Sequence, residues 1–225
     1  MSRLPAFAIA GKRKPSRVSW NTVMTIVSRS TIAIAVLCGL LVASPAAAHD
    51  SPTLAGGFAA GFAHPFAGFD HLLAMIAVGI WGAFLGRPLV VLLPVVFPMM
   101  MAVGGALGMI GAPMPPVEVG IALSVIMLGV AIAAAWRAPV WLAVIIVAVF
   151  AVFHGYAHGS EVPSIADPTA YSLGFVLATG ALHVAGIALG SIVRLPYGAA
   201  AVRGIGAVVA VVGLWFLTNA LGAAS

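Results

Sequence analysis

The chain has 225 residues, of which 63% are hydrophobic and 7% are charged. An average soluble domain carries about 25% charged residues, and a soluble fold of this size could not keep so much apolar surface from water. The composition therefore excludes a water-soluble globule, a disordered chain and a fibrous repeat, and it predicts an all-α, polytopic membrane helix bundle.

The first 48 residues have the pattern of a secretory signal peptide. Six of the ten basic residues lie in the first 30 positions, an apolar run follows at 31–42, and residues 46–48 supply an A-x-A end. We therefore expect residues 1–48 to be a signal peptide and residues 49–225 to form the transmembrane domain. An uncleaved signal anchor is the alternative. Cleavage would remove most of the basic charge and Cys38, so no nucleic-acid partner is indicated, and any metal site would use nitrogen and oxygen ligands.

Six apolar segments follow in residues 49–225, each near the length of about 20 residues that crosses a bilayer. Glycine, proline and charged residues separate them. The segments lie at 66–86, 88–111, 117–135, 139–157, 170–193 and 203–222. They predict six transmembrane helices.

The charges in the connecting loops predict an orientation. Arg87, Arg137, Arg194 and Arg203 fall in the first, third and fifth loops. Because cytoplasmic loops concentrate Lys and Arg, we expect these loops to face the cytoplasm and the mature N-terminus to face the outside.

A first polar cluster lies where the first spanning helix is predicted to begin. In one continuous helix, His64 and His71 would share a face to within about 20°. We expect His64 to be the last residue before the helix, with Pro65 in its first turn. An ionised Asp70 inside the hydrocarbon core would need a partner. Ionisable groups within a membrane usually mark a substrate or ion pathway. A purely structural pair of Asp70 and His71 is the alternative.

A second polar cluster lies at the end of the predicted fourth helix. His154 and His158 are four residues apart and Glu161 follows three residues later. If the helix continues, all three side chains project from one face. Two neutral imidazoles at this spacing can bind one divalent ion. Gly155 and Gly159 leave another face smooth enough for a second helix to approach closely.

The predicted topology places both clusters at the outer side of the membrane, because the fourth helix ends where the first one starts. We therefore expect one composite site. His183 lies near the middle of the predicted fifth helix. It is a candidate for a deeper relay position, and a hydrogen bond between helices is the alternative interpretation.

Together the clusters resemble the two motifs of the HupE/UreJ family of nickel and cobalt permeases. His64, Asp70 and His71 fit an H-x5-D-H pattern, and residues 153–161 are similar to F-H-G-x-[A/V]-H-G-x-E. The resemblance implies a secondary permease that carries nickel, or cobalt, from periplasm to cytoplasm across the bacterial inner membrane. With His183 added, the candidate metal-binding residues are His64, Asp70, His71, His154, His158, Glu161 and His183.

The metal ion is expected to be a transported substrate and not a prosthetic group, and the chain is not expected to be an enzyme. Imidazole and carboxylate suit Ni²⁺ and Co²⁺. The sequence carries no G-x4-G-K-[S/T] loop, so facilitated diffusion is the default mechanism. Because protons compete for imidazole nitrogens, uptake is expected to weaken as the pH falls through about 6 to 6.5. The other expected partner is the lipid bilayer. The oligomeric state stays open, and a homo-oligomer is one of the alternatives.

Two other functions are compatible with the same residues. A zinc-dependent intramembrane hydrolase could use three histidines, a carboxylate and an activated water. A metal sensor, or a structural partner of another membrane complex, would bind metal without flux into sealed vesicles. The paired motifs favour transport over both.

Overall fold

The computed structural model describes residues 54–160 and 168–223. The predicted signal peptide (1–48) and Glu161 lie outside these ranges. The described part consists of helices and their connections and contains no strand. The helices are α1 Leu54–Ala67, α2 Phe69–Leu85, α3 Leu89–Met109, α4 Val117–Ala133, α5 Val140–Ser160, α6 Pro168–Ser191 and α7 Gly198–Ala223, with a 3-10 turn at Ile192–Arg194.

Most of these helices can cross a bilayer by length and composition. Four of them, α3, α5, α6 and α7, are long and apolar enough alone, and α1 with α2 makes a fifth candidate as one bent span. The remaining apolar helix, α4, has 17 residues, which corresponds to about 26 Å against a hydrocarbon core of about 30 Å. The chain is thus a multi-pass membrane protein with four or five such spans in its described part, where the sequence predicts six.

The start of the first predicted span differs from the expectation. Residues up to Ala67 already form α1, with Pro65 inside it, and the chain bends by 84° before α2. The bend lies at Gly68, whose backbone is extended at φ −100° and ψ 112°. The prediction that His64 precedes the helix is therefore wrong, and so is the shared face with His71. Pro65 removes one helical hydrogen bond but is held in the last turn of α1, and the break falls instead at Gly68, since glycine leaves the helical conformation cheaply.

The beginning of α7 also differs. The sequence predicts a helix from residue 203, but α7 begins at Gly198 and continues through Arg203. The charged side chain does not break the helix, because its Nε donates a hydrogen bond of 2.8 Å to the carbonyl of Ala133 at the end of α4. A charge near a helix end can thus be satisfied by a neighbouring helix terminus.

The central helix of the bundle is α2, which packs against α3, α4 and α6. Its middle is fully buried: Met75, Val78 and Trp81 have no exposed surface. Around it, α3 pairs with α5, α4 pairs with α7, and α6 packs on both α1 and α2. In the first turn of α2, the ring of His71 lies beside α5, with its centroid 4.7 Å from that of His154.

The contact between α3 and α5 is made by backbone atoms. A Cβ placed at Gly104 or Gly108 of α3 would overlap a backbone carbonyl oxygen of α5, and one placed at Gly155 or Gly159 would overlap a carbonyl oxygen of α3. The close approach predicted from Gly155 and Gly159 is confirmed. With its glycine face against α3, α5 directs its histidines toward α2.

The arginine-bearing loops meet at one end of the bundle. The guanidinium of Arg137, in the third loop, lies 5.3 Å from the ring centroid of Phe84 near the first loop. Arg203, after the fifth loop, bonds to Ala133 beside the third loop. The residues of the two polar clusters lie at the opposite end, where α2 and α6 begin and α5 ends.

Candidate functional site

Most of the candidate residues lie together in one group, which we call the histidine cluster. It joins one side chain from α1, two from the first turn of α2 and two from the last turns of α5. Its members are His64, Asp70, His71, His154 and His158. Of the other candidates, His183 lies apart from the cluster and Glu161 lies outside the described residues.

The rings of the cluster form a continuous series. Nε2 of His64 and Nδ1 of His158 share a hydrogen bond of 3.0 Å. The ring centroids of His158 and His71 are 4.5 Å apart, and those of His71 and His154 are 4.7 Å apart. The structure thus brings the two sequence motifs together, as the predicted topology requires.

Asp70 orients the ring of His71. Its Oδ1 accepts a hydrogen bond of 2.8 Å from the backbone N–H of His71 and lies 2.9 Å from Nδ1 of the same residue. A carboxylate only accepts, so Nδ1 carries the proton and Nε2 keeps its lone pair. This Nε2 is buried and has no hydrogen-bond partner in the described ranges. A carboxylate behind an imidazole is typical of metal-binding histidines.

The position of Asp70 also stabilises its negative charge. The residue lies in the first turn of α2, where the helix dipole favours an anion. His71 and the N-terminus of α2 are therefore the partners that the carboxylate of Asp70 needs in hydrocarbon. This geometry favours an orienting role for Asp70 over direct ligation.

Ser124 of α4 orients His154 in a comparable way. Its Oγ donates a hydrogen bond of 2.6 Å to the carbonyl of Ile121 and lies 2.8 Å from Nε2 of His154. Because the hydroxyl hydrogen of Ser124 is used in the bond to Ile121, its oxygen accepts a hydrogen bond from Nε2–H of His154. Nδ1 of His154 then keeps its lone pair. This Nδ1 is buried without a hydrogen-bond partner among the described residues. The sequence prediction missed Ser124, although it is the one hydroxyl side chain in the apolar segment 117–135.

Aromatic rings of α6 cover the cluster on one side. Phe175 lies 4.7 Å from the ring of His158, and Tyr171 lies 5.7 Å from the ring of His64, both measured between centroids. Nε2 of His158 is buried and unpartnered within the described part of the chain. A partly open cavity of about 360 Å³ between α3, α5 and α6 has His158, Tyr171 and Phe175 in its wall. His158 is the member of the histidine cluster that lines this cavity.

The cluster is hydrogen-bonded to itself. Within residues 54–160 and 168–223, no three His, Cys, Asp or Glu side chains surround a common point closely enough to hold a metal ion. The bond between His64 and His158 engages one nitrogen of each ring. A ligand set of three nitrogens would require the imidazoles to turn about their side-chain bonds.

His183 lies deeper in the bundle. It is fully buried on α6, and the ring of Phe97 separates it from the cluster. The Phe97 centroid is 5.3 Å from the ring of His183 and 5.5 Å from that of His154. The sequence prediction gave Phe97 no role, because one phenylalanine in an apolar helix carries no signal of its own.

Comparison with known proteins identifies the family of the chain. The family model described as HupE / UreJ protein matches residues 35–216. Protein HupE of Rhizobium leguminosarum bv. viciae is 43% identical over 178 residues, which cover 79% of this chain and 93% of the relative. No solved structure matches the chain. The chain therefore belongs to the HupE/UreJ family.

Proposed function

We propose that the chain is a secondary permease that carries a divalent transition metal, nickel or cobalt, from the periplasm to the cytoplasm of a bacterium. The family is associated with nickel and cobalt uptake for hydrogenase and urease. In this proposal, residues 49–225 cross the inner membrane six times. The short helix α4 is the span that is added to the five candidates described above. The arginine-bearing loops face the cytoplasm and the histidine cluster faces the periplasm.

The observation that supports this function best is a set of three buried imidazole nitrogens without hydrogen-bond partners among the described residues. They are Nε2 of His71, Nδ1 of His154 and Nε2 of His158. Buried polar atoms are usually paired with protein, water or an ion. At His71 and His154, the bonds to Asp70 and Ser124 leave the lone pair on the unpartnered nitrogen, which is the form that binds a metal.

Capture begins at the cavity beside His158. An arriving ion exchanges part of its hydration shell for imidazole nitrogens, and the hydrogen bond between His64 and His158 opens so that each ring can turn its one lone-pair nitrogen toward the ion. The carboxylate of Asp70 offsets part of the ion's charge at low dielectric. Glu161, which follows α5 directly, is the second carboxylate that we assign to this site.

Release requires that the ion is held only moderately, because a carried ion must also leave. Neutral imidazoles satisfy this requirement better than thiolates, which bind borderline divalent metals very tightly. The membrane potential, negative inside, drives a divalent cation inward with about 2.3 kcal/mol per charge at 100 mV. Facilitated diffusion down this gradient needs no nucleotide.

The direct test is nickel flux into proteoliposomes that contain the purified protein and a nickel-sensitive dye inside. We expect saturable uptake that is driven by an inside-negative potential and lost in His154→Ala and His158→Ala. Tyr197→Ala, which alters an exposed aromatic residue (91% exposed) at the opposite end of the bundle, is the matched control. Equal flux in the wild type and in both histidine variants would overturn the site, and metal binding without any flux would favour a sensor.

A further inference from the structure

A second group of unsatisfied polar atoms lies inside the bundle, away from the histidine cluster. Thr179 and His183, which we call the deep pair, are four residues apart on α6 and both are fully buried. Within the described part of the chain, Oγ1 of Thr179 and both ring nitrogens of His183 lack a regular hydrogen bond, although the Thr179 carbonyl lies close to the imidazole. The helix–helix hydrogen bond considered for His183 is therefore not observed there.

Along α6, the deep pair lies farther from the N-terminus than Tyr171, which is next to the cluster. His183 follows Tyr171 by 12 residues, which is about 18 Å of helix, and the ring of Tyr171 contacts His64 of the cluster. Between the two groups lies the fully buried Phe97, whose ring contacts His154 on one side and His183 on the other. One aromatic side chain therefore separates the cluster from the deep pair.

The backbone around the deep pair is tightly held. A Cβ placed at Gly79 of α2 would overlap the carbonyl oxygen of His183, and one placed at Gly186 would overlap that of Ile76. Because α2 and α6 touch through their backbones here, parting the helices would break many close contacts at once. Rotation of the Phe97 side chain is the smaller movement that would connect the two groups.

We infer that Thr179 and His183 form a second, inner station for the transported ion, reached from the histidine cluster when the Phe97 side chain moves aside. The inference rests on the proposed function. Imidazole nitrogen and hydroxyl oxygen are neutral ligands that a borderline divalent ion accepts, with water completing its shell. Unlike His71 of the cluster, the side chains of the deep pair have no hydrogen bond to a carboxylate in the described ranges. An ion is therefore held more weakly there, which favours onward movement.

The test separates binding at the cluster from passage through the bundle. Nickel binding at equilibrium is measured by titration calorimetry on purified protein in detergent, and nickel flux is measured in proteoliposomes. The variants are His183→Leu, His183→Gln and the nearly isosteric Thr179→Val. Leu182→Ala, which truncates the adjacent buried residue of α6, is the control for disturbed packing.

We expect the nickel affinity of every variant to stay within about twofold of the wild type, while flux falls at least about tenfold in His183→Leu and Thr179→Val. His183→Gln, which keeps a donor and an acceptor, should retain more flux, and Leu182→Ala should transport like the wild type. Wild-type flux in His183→Leu or Thr179→Val with binding retained overturns the inner station alone. If His183→Leu does not fold, Thr179→Val and His183→Gln decide the question. Absence of flux in the wild type overturns the proposed function, and the station with it.

Discussion

His64 and His158 are 94 positions apart in the chain and share a hydrogen bond of 3.0 Å between their rings. This contact depends on the 84° bend between α1 and α2, because a straight helix would carry His64 along the axis of α2 and away from α5. The bend thus brings a third helix to a site that would otherwise be built from α2 and α5 alone.

If Asp70 orients His71, then Asp70→Asn should weaken nickel binding by about 10–100-fold, the usual effect of losing such a partner. The amide keeps an acceptor oxygen but removes the charge, so Asp70→Ala should be worse. Calorimetry on the purified protein measures both affinities. X-ray absorption of the bound nickel should show the same number of imidazole ligands in Asp70→Asn as in the wild type. Loss of an oxygen ligand instead would show that Asp70 binds the metal directly.

Ser124→Ala should lower nickel affinity by about tenfold, because Nε2 of His154 loses its acceptor and the ring loses its fixed tautomer. Ser124→Thr keeps the hydroxyl and should restore binding. Ser191→Ala is the matched control, since its Oγ bonds only back to the carbonyl of Ala188 on the same helix. Calorimetry and flux are measured for all three variants. Equal affinity in Ser124→Ala and the wild type would remove this residue from the site.

The sequence predicts most of the fold because spanning helices leave a strong composition signal. Segments 88–111 and 139–157 correspond to α3 and α5 within a few residues. The exception is the region of Pro65 and Gly68, where proline is the stronger break on local grounds. The bundle instead extends α1 past Pro65 and bends at Gly68, because packing of α1 on α6 overrides the local preference.

The candidate site was predictable where residues recur at helical spacing and unpredictable where one residue acts through a tertiary contact. The four-residue interval between His154 and His158 predicts that both side chains lie on one helix face. Ser124 and Phe97 belong to other helices, and only the three-dimensional packing brings them to His154. A single sequence holds no pattern that links residue 124 to residue 154.

Gly104→Ala should destabilise the protein, because the added methyl group would overlap the carbonyl oxygen of Val152 on α5. Overpacking of this kind costs about 1–3 kcal/mol. Gly180→Ala is the matched control, since a Cβ there meets nothing within 4 Å, and it should be neutral or slightly stabilising. Thermal unfolding in detergent compares the two variants. A melting temperature for Gly104→Ala equal to that of the control would contradict the backbone contact.

Nickel uptake should decline as the external pH falls from 7.5 to 5. Each proton that occupies an imidazole nitrogen removes a ligand and adds a positive charge, so binding weakens in the acidic direction. With several imidazoles involved, the decline should be steeper than one proton per ion predicts. Flux is measured in proteoliposomes with an ionophore that keeps the proton gradient at zero. Constant uptake across this range would show that the histidines are not the ligands.

The glycine contact between α3 and α5 has a consequence for how relatives of this chain are judged. In lipid, no hydrophobic force draws two helices together, and close approach depends on small residues. A homologue could keep every histidine and carboxylate and still hold them at the wrong separation if a bulkier residue replaced Gly155 or Gly159. Conservation of the candidate site in a homologue should therefore be judged from the donor atoms and the glycines together.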